Sequence, residues 1–316
     1  VKQAAPTAAP AILVTGAAGA LARRLIERLH PRQPVVAVDF RRRAEFDAAI
    51  PSYQVAMEKR GLEALFRRHQ IGSVVHLGRI FAHEQSRQRR YSANVLGTKH
   101  LFELAHKYGV GHMVVHSTYS VYGASPYNPA LLDEDHPLKA GEWTEDLIDA
   151  VELENLAQIH LRTDAALRVT LLRPCNILGP GVRNTLSLIL RRRWAPVMAG
   201  YAPIMQFLHV EDMAEALFRV LQSPQTGVFN VAPADWLPYP EAVRLCGCRA
   251  VPLWSSSGLP RLLAHALGSN RWLPSYLIPY LKYPVVIDGS RFRERFDWSP
   301  RYGLDDLFDH YRRGKR

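Results

Sequence analysis

Two stretches near the start of the chain combine residue types and spacing that point to chemistry. Thr15-Gly16-Ala17-Ala18-Gly19 lies between an apolar run, Ile12, Leu13 and Val14, and a helix opening that packs through Leu21 and Leu25. Such a turn binds anions. Gly16 can take backbone angles closed to residues with a side chain, Gly19 lets a pyrophosphate approach the main chain, and the N–H groups at the helix start face negative charge. The third small position is Ala22 rather than glycine. The second stretch, Val35–Asp39, is an apolar strand ending in an acid about 20 residues after the glycines, where a carboxylate meets a ribose hydroxyl. Together they predict a dinucleotide site.

A chain of 316 residues can bury a full core, and its 47% hydrophobic content is that of a globular protein. No apolar run approaches the roughly 18 residues of a membrane span, and VKQAAPTAAP, lacking an apolar signal core, reads as a flexible lead-in. A cytoplasmic location is the resulting expectation. The formal charge of +11 comes mostly from arginine, in clusters at Arg41–Arg43, Arg67-Arg68, Arg87–Arg90 and Arg191–Arg193. These clusters are scattered and lack the aromatic interleaving of a single-strand binder, so they read as solvated helix faces or contacts to phosphate-bearing small molecules, not as a nucleic-acid surface. Cys175, Cys246 and Cys248 neither pair evenly nor match metal-ligand spacing, which predicts reduced thiols and no metal.

The elements that must position the site alternate. Helical spacing at Arg60–His69 is followed by an apolar strand at Gly72–Gly78, and a helix from about Tyr91 to Tyr108 has Val95, Leu96, Leu101, Leu104 and Ala105 on its inner side. Gly111–Ser117 is the next strand. After a loop reaching about Glu142, a helix from Trp143 to about Leu161 is amphipathic through Leu147, Val151, Leu156 and Ile159, and Arg168–Arg173 returns to the sheet. The fold class this implies is α/β, a doubly wound parallel Rossmann sheet with a smaller, mostly helical C-terminal lobe. Residues 1–10 form the flexible N-terminus and 11–179 the nucleotide-binding domain. Phe207–Val210, followed by a helix capped by Glu211 or Asp212, and Gly227–Val231 complete the sheet within about 205–235. Residues 180–204 and 236–316 form the substrate lobe. In that lobe Leu259–Pro284, rich in Trp272, Tyr276 and Tyr280, reads as core packing, a greasy pocket wall or a membrane-resting surface, with Pro274 and Pro279 breaking any long helix.

The motifs in order carry a family resemblance. Thr15–Gly19, Asp39, Val75-His76-Leu77-Gly78, Asn94-Val95-Leu96-Gly97-Thr98, Ser117–Gly123, Arg173-Pro174-Cys175-Asn176-Ile177-Leu178-Gly179-Pro180, Phe207–Asp212 and Phe296–Tyr302 resemble the extended short-chain dehydrogenase/reductases, the NAD-dependent epimerase/dehydratases, over nearly the whole chain. The resemblance implies a Rossmann sheet holding NAD or NADP and a substrate that is a nucleotide sugar, a lipid-like alcohol or another small alcohol. Asp39 favours NAD, because a carboxylate repels a 2′-phosphate, while Arg41 and Arg42 keep NADP open. The cofactor contacts it implies are Gly16, Ala17, Ala18, Gly19, Ala20 and Leu21 at the turn, and Asp39, Phe40 and Arg41 after the second strand. Further along it implies Leu77 and Gly78, Asn94, Ser117, and Pro174 with Asn176. It also implies a homodimer through helices near Arg90–Tyr108 and Asp146–Leu161.

The same resemblance implies a tyrosine that moves a proton, a lysine four residues later that favours its phenolate, and a Ser or Thr on the same substrate oxygen. Thr118 takes the hydroxyl position, although a strand-end threonine also bonds to backbone. Between Ala140 and Arg168 there is no tyrosine and no lysine. With Glu154 as the family's acid past the lysine, Asp146 falls at the tyrosine position and Ala150 at the lysine position; a shift of three gives Asp149 and Leu153. A carboxylate with a reference pKa near 4 is a poor acid at pH 7. Three readings follow. The chain binds a dinucleotide without turnover, as a sensor, scaffold or assembly subunit; it does different chemistry with Asp146, Asp149, Tyr119, Tyr122 or His116 moving the proton; or it keeps weak oxidoreductase activity through Thr118 and water. Arg79 replaces a small residue after the Val-His-Leu-Gly strand and reads as a contact to a phosphate or substrate carboxylate, or as an exposed loop arginine.

Overall fold

The structure is a computed structural model that describes residues 9–79, 87–254 and 273–315. The lead-in through residue 8 and residues 255–272 of the apolar Leu259–Pro284 stretch lie outside the described residues.

The first strand, β1 (Ala11–Thr15), and β2 (Val35–Asp39) are buried along their whole length, which is why they read as unbroken apolar runs. Between them α1 (Ala20–Leu29) buries Ala22, Leu25, Ile26 and Leu29 at helical spacing and turns its arginines outward. A short edge strand, β3 (Ser52–Gln54), escapes sequence reading because only Ser52 of its three residues is buried. Next come α2 (Lys59–Arg68) and β4 (Ile71–His76). The helix predicted from Tyr91 starts earlier, as α3 (Arg87–Tyr91), and reaches α4 (Gly97–Lys107) through a single π turn at Ser92–Leu96. The extra residue in that turn rotates the face: Val95 is buried, but Leu96, expected inside, is 39% exposed.

After β5 (His112–His116), the helix expected from Trp143 is three pieces: α5 (Ala140–Trp143), a 3₁₀ turn at Glu145–Leu147, and α6 (Ile148–Thr163). Of the predicted inner face, Leu147 is buried and Val151 and Leu156 pack against the core, and Ile159 departs from it. Ala150, Leu153, Glu154 and Ala157 are buried, whereas Ile159 is 58% exposed. The central sheet ends with β6 (Arg168–Pro174), and the Asn176–Leu178 part of the following segment, expected as loop, is a strand, β7.

The chain continues through α7 (Thr185–Leu190), β8 (Trp194–Met198), β9 (Ile204–Met205), β10 (Phe207–His209), α8 (Val210–Gln222), β11 (Gly227–Val231), β12 (Leu237–Pro238), α9 (Tyr239–Leu245) and β13 (Arg249–Leu253). It closes with α10 (Leu277–Tyr280), α11 (Ser290–Arg295) and α12 (Leu304–Arg313). The central sheet has seven parallel strands in the order β11-β6-β5-β4-β1-β2-β3. The order reverses between β1 and β4, so a crevice opens there at the carboxyl ends of the strands. β10 does not join this sheet, contrary to expectation; it pairs with β7. No helix among the described residues is long and apolar enough to cross a membrane.

The lobes are tied by specific bonds. Neither Glu211 nor Asp212 caps α8; His209 Nδ1 accepts the Glu211 N–H at 3.2 Å. Glu211 instead pairs with Arg24 and Arg28 of α1, and Asp212 accepts the backbone N–H groups of Arg301 and Tyr302. This links the Phe207–Asp212 motif to the closing segment around Trp298, itself buried. Leu273, Leu277, Tyr280 and Leu281 belong to the main core, so the described part of the apolar stretch is packing.

Candidate functional site

At the end of β1, Gly16 has φ 71°, and a Cβ there would lie 2.8 Å from the Cα and N of Gly78. Only glycine fits both the angle and the approach. Thr15 holds the two turns together: its Oγ1 accepts N–H from Leu77 at 3.1 Å and Gly78 at 3.0 Å. The hydroxyl donates to His76 Nδ1 (2.7 Å), whose Nε2 donates to Thr98 Oγ1 (2.9 Å), which donates to the Asn94 carbonyl. That relay has one direction only and requires a neutral ring, and burial pushes the His76 pKa down to about 3.

Gly19 stands before α1 and no side chain caps that helix, so the leading N–H groups of Ala20 and Leu21 have no side-chain partner. The Asp39 carboxylate is buried at the end of β2, where Oδ2 accepts from Ala18 N at 3.0 Å and Oδ1 from Arg41 N at 2.9 Å. Each oxygen keeps a second lone pair for a ribose hydroxyl. The Arg41 guanidinium lies 3.5 Å from the same carboxylate and over the Phe40 ring. An uncapped helix start, a glycine cradle and a buried acid fit a dinucleotide.

Across the sheet edge the sequence-predicted residues divide. Ser117 is fully buried and its hydroxyl donates to Glu154, and Asn176 spends its amide on Tyr119 Oη and the Gln206 carbonyl. Both are fixing groups in the protein interior, with side chains already committed. Pro174 ends β6 beside them. Glu154 pairs with Arg173, which also donates to Tyr122 Oη and the Glu134 carbonyl, while Tyr122 donates to Asn230. This buried network fixes α6 against β6.

Thr118 Oγ1 accepts the Ser120 N–H at 3.3 Å and shares a bond with Ser120 Oγ at 3.0 Å, so it caps the 3₁₀ turn Tyr119–Tyr122 while staying partly exposed. Asp146 lies in the 3₁₀ turn before α6, not on the helix as expected. Its carboxylate meets Arg90 at 3.4 Å and Ser275 Oγ at 3.4 Å, and Asp149 accepts from Asn94 Nδ2. Ala150 is 1% exposed. Arg79 is not an exposed loop residue: it is partly buried, its Nε is fully buried with no hydrogen-bond partner among the described residues, and Asp149, Glu154 and Tyr276 act on its charge. His116, at the end of β5, has a buried Nε2 without a partner, and burial pushes its pKa down to about 4.

The phenols near this edge are raised, not activated. Burial pushes Tyr122 up to about 12 and Tyr119 higher still, and raises Tyr276 and Tyr280 as well. Sequence reasoning missed Arg90, hidden in a basic cluster that read as solvated; its four-residue spacing to the inward Asn94 was the available signal. It also missed Ser275, which comes from the other lobe and carries no local mark.

The sheet order and this crevice define a doubly wound dinucleotide-binding protein. A family model described as the NAD dependent epimerase/dehydratase family matches residues 12–232. The chain belongs to that family, whose cofactor is NAD. An uncharacterized protein of Mycobacterium tuberculosis is 30% identical over 228 residues, covering 70% of this chain, which spans 59% of that protein's length. A dTDP-4-dehydro-6-deoxy-D-allose reductase of a Streptomyces species is 27% identical, covering 96% of this chain and 97% of its own. Among solved structures, a dTDP-glucose 4,6-dehydratase of Bacillus anthracis in complex with NAD superposes with a TM-score of 0.75 at 19% identity, covering 96% of this chain and 97% of its own.

Proposed function

We propose that the protein is an NAD-binding oxidoreductase of the epimerase/dehydratase kind that acts on a nucleotide sugar or another small alcohol, with its proton handling moved off a Tyr–Lys pair. The carrying observation is the cradle: Gly16 against Gly78, an uncapped α1 and the buried Asp39 carboxylate at one sheet edge. Gly16–Leu21 take the pyrophosphate side, Asp39, Phe40 and Arg41 the adenosine side, and Leu77, Gly78 and Asn94 the wall between. Asp39 favours NAD over NADP because a 2′-phosphate would meet its charge. When bound, NAD supplies hydride acceptance. The chain's part is to orient the alcohol by Thr118 and to pass its proton to water or to Asp146, which falls at the tyrosine position when counted back from Glu154. The nucleotide-sugar class follows from the relatives, among them a dTDP-4-dehydro-6-deoxy-D-allose reductase and a dTDP-glucose 4,6-dehydratase.

One observation favours a second reading, binding without turnover: Asp146 is ion-paired with Arg90, and every phenol at the edge is raised in pKa. Calorimetric titration with NAD, followed by absorbance at 340 nm with UDP- and dTDP-sugars, separates the two. NAD binding with turnover that Thr118→Ala lowers at least tenfold supports the first. NAD binding with no turnover selects the second, and absence of NAD binding rejects both.

Residues 180–204 and 236–316 serve as the substrate lobe in this reading, and a cytoplasmic homodimer forms through α3, α4 and α6. The exposed Tyr91 of α3, Leu96 of the π turn and Ile159 of α6 support such a surface.

A further inference from the structure

The residue the cofactor reading leaves unused is Arg79. It stands three residues past the end of β4, and its Nε–H is buried without an acceptor among the described residues, an uncommon and costly state for a guanidinium donor. Two α6 carboxylates, Asp149 and Glu154, act on its charge, as does the Tyr276 phenol from the opposite lobe. Asp149 and Glu154 bracket the stretch of α6 that includes Ala150, where only a methyl group projects and no cation is available.

We propose that Arg79 is the cation that anchors the nicotinamide-side ribose of NAD, supplied from the turn after β4 because the basic residues of α6, His160 and Arg162, stand only in its last turn. This rests on the NAD-binding reading and extends it to a named contact. The electrostatics choose the ligand class. Glu154 is neutralised by Arg173 and Asp146 by Arg90, which leaves Asp149 to balance Arg79. An anion placed there would meet Asp149 as well as Arg79 and gain little. A neutral vicinal diol is matched, because the guanidinium donates to one hydroxyl and the carboxylate accepts from the other. The His76 and His116 rings, held neutral by burial, add no competing positive charge.

The test compares two ligands sharing the adenosine diphosphate half, NAD and ADP, titrated by calorimetry into the wild-type chain, Arg79→Met and Arg79→Lys. Arg79→Met is expected to weaken NAD about tenfold and leave ADP unchanged, and Arg79→Lys to recover part of the loss. Unchanged NAD affinity in Arg79→Met overturns the proposal, as does an equal loss for NAD and ADP, which marks a packing role. If wild type binds ADP but gains nothing from the nicotinamide riboside of NAD, Arg79 has no ribose to hold and the proposal fails alone. If wild type binds neither, the underlying cofactor reading fails with it. ADP binding by each variant reports that it is folded.

Discussion

At the scale of single residues, Gly16 and Gly109 share a left-handed backbone but differ in surroundings. A Cβ on Gly109 meets nothing within 4 Å, whereas one on Gly16 runs into Gly78. Gly109→Ala should therefore cost only backbone strain, about 1 kcal/mol, and leave NAD affinity unchanged. Gly16→Ala must push the β1 and β4 turns apart and should weaken NAD more than tenfold; calorimetry and thermal melts check both. The Glu154–Arg173 pair makes a similar contrast with Glu241–Arg244. Both residues of the first pair are buried, so Glu154→Gln leaves a guanidinium poorly compensated in the interior and should destabilise by about 3 kcal/mol in urea unfolding. Glu241 and Arg244 are on the surface, and Glu241→Gln should leave the urea midpoint nearly unchanged.

At the scale of elements, the π turn before α4 and the face chosen by α6 matter most. The π turn brings Asn94 and Arg90 inward, to the two aspartates that precede and open α6, and turns Leu96 outward. α6 packs Ala150, Leu153 and Ala157 against the protein interior, keeps Val151 and Leu156 at the margin of the core and leaves Ile159 in solvent. Under the dimer reading, Ile159→Arg should convert a dimer to a monomer in analytical ultracentrifugation with an unchanged far-UV spectrum. A wild-type chain sedimenting as a monomer would remove that reading. The apolar stripe on α6 was visible in the sequence, but which stripe faces the sheet depends on how closely the helix backbone approaches it, and hydrophobicity does not encode that.

At the scale of the whole molecule, buried histidines set the response to acid. Burial holds His76 at about 3 and His112, His116 and His209 at about 4, against 6.5 unperturbed. These folded-state pKa values lie below the unfolded ones, so between about pH 6.5 and 4 the unfolded chain takes up protons that the folded chain refuses. Their contribution to stability is complete above about pH 6.5 and is lost as pH falls through that window. The melting temperature should be flat from pH 7 to 8 and decline steadily from 6.5 to 4 in calorimetric scans. A melting temperature unchanged down to pH 4.5 would contradict this.

By itself the sequence determined the doubly wound fold, the glycine turn with its acid, and the lack of any tyrosine or lysine from Ala140 to Arg168, because each is written in local spacing: strand–turn–helix periodicity or residue type at a fixed offset. Only the tertiary structure decided what surrounds the gap that lack leaves. Arg79, Arg90, Asp149 and Tyr276 lie far apart in the chain and converge because β4, α3, α6 and the C-terminal lobe meet at one sheet edge. Charge balance in a buried site is a property of that convergence, and no single segment carries it.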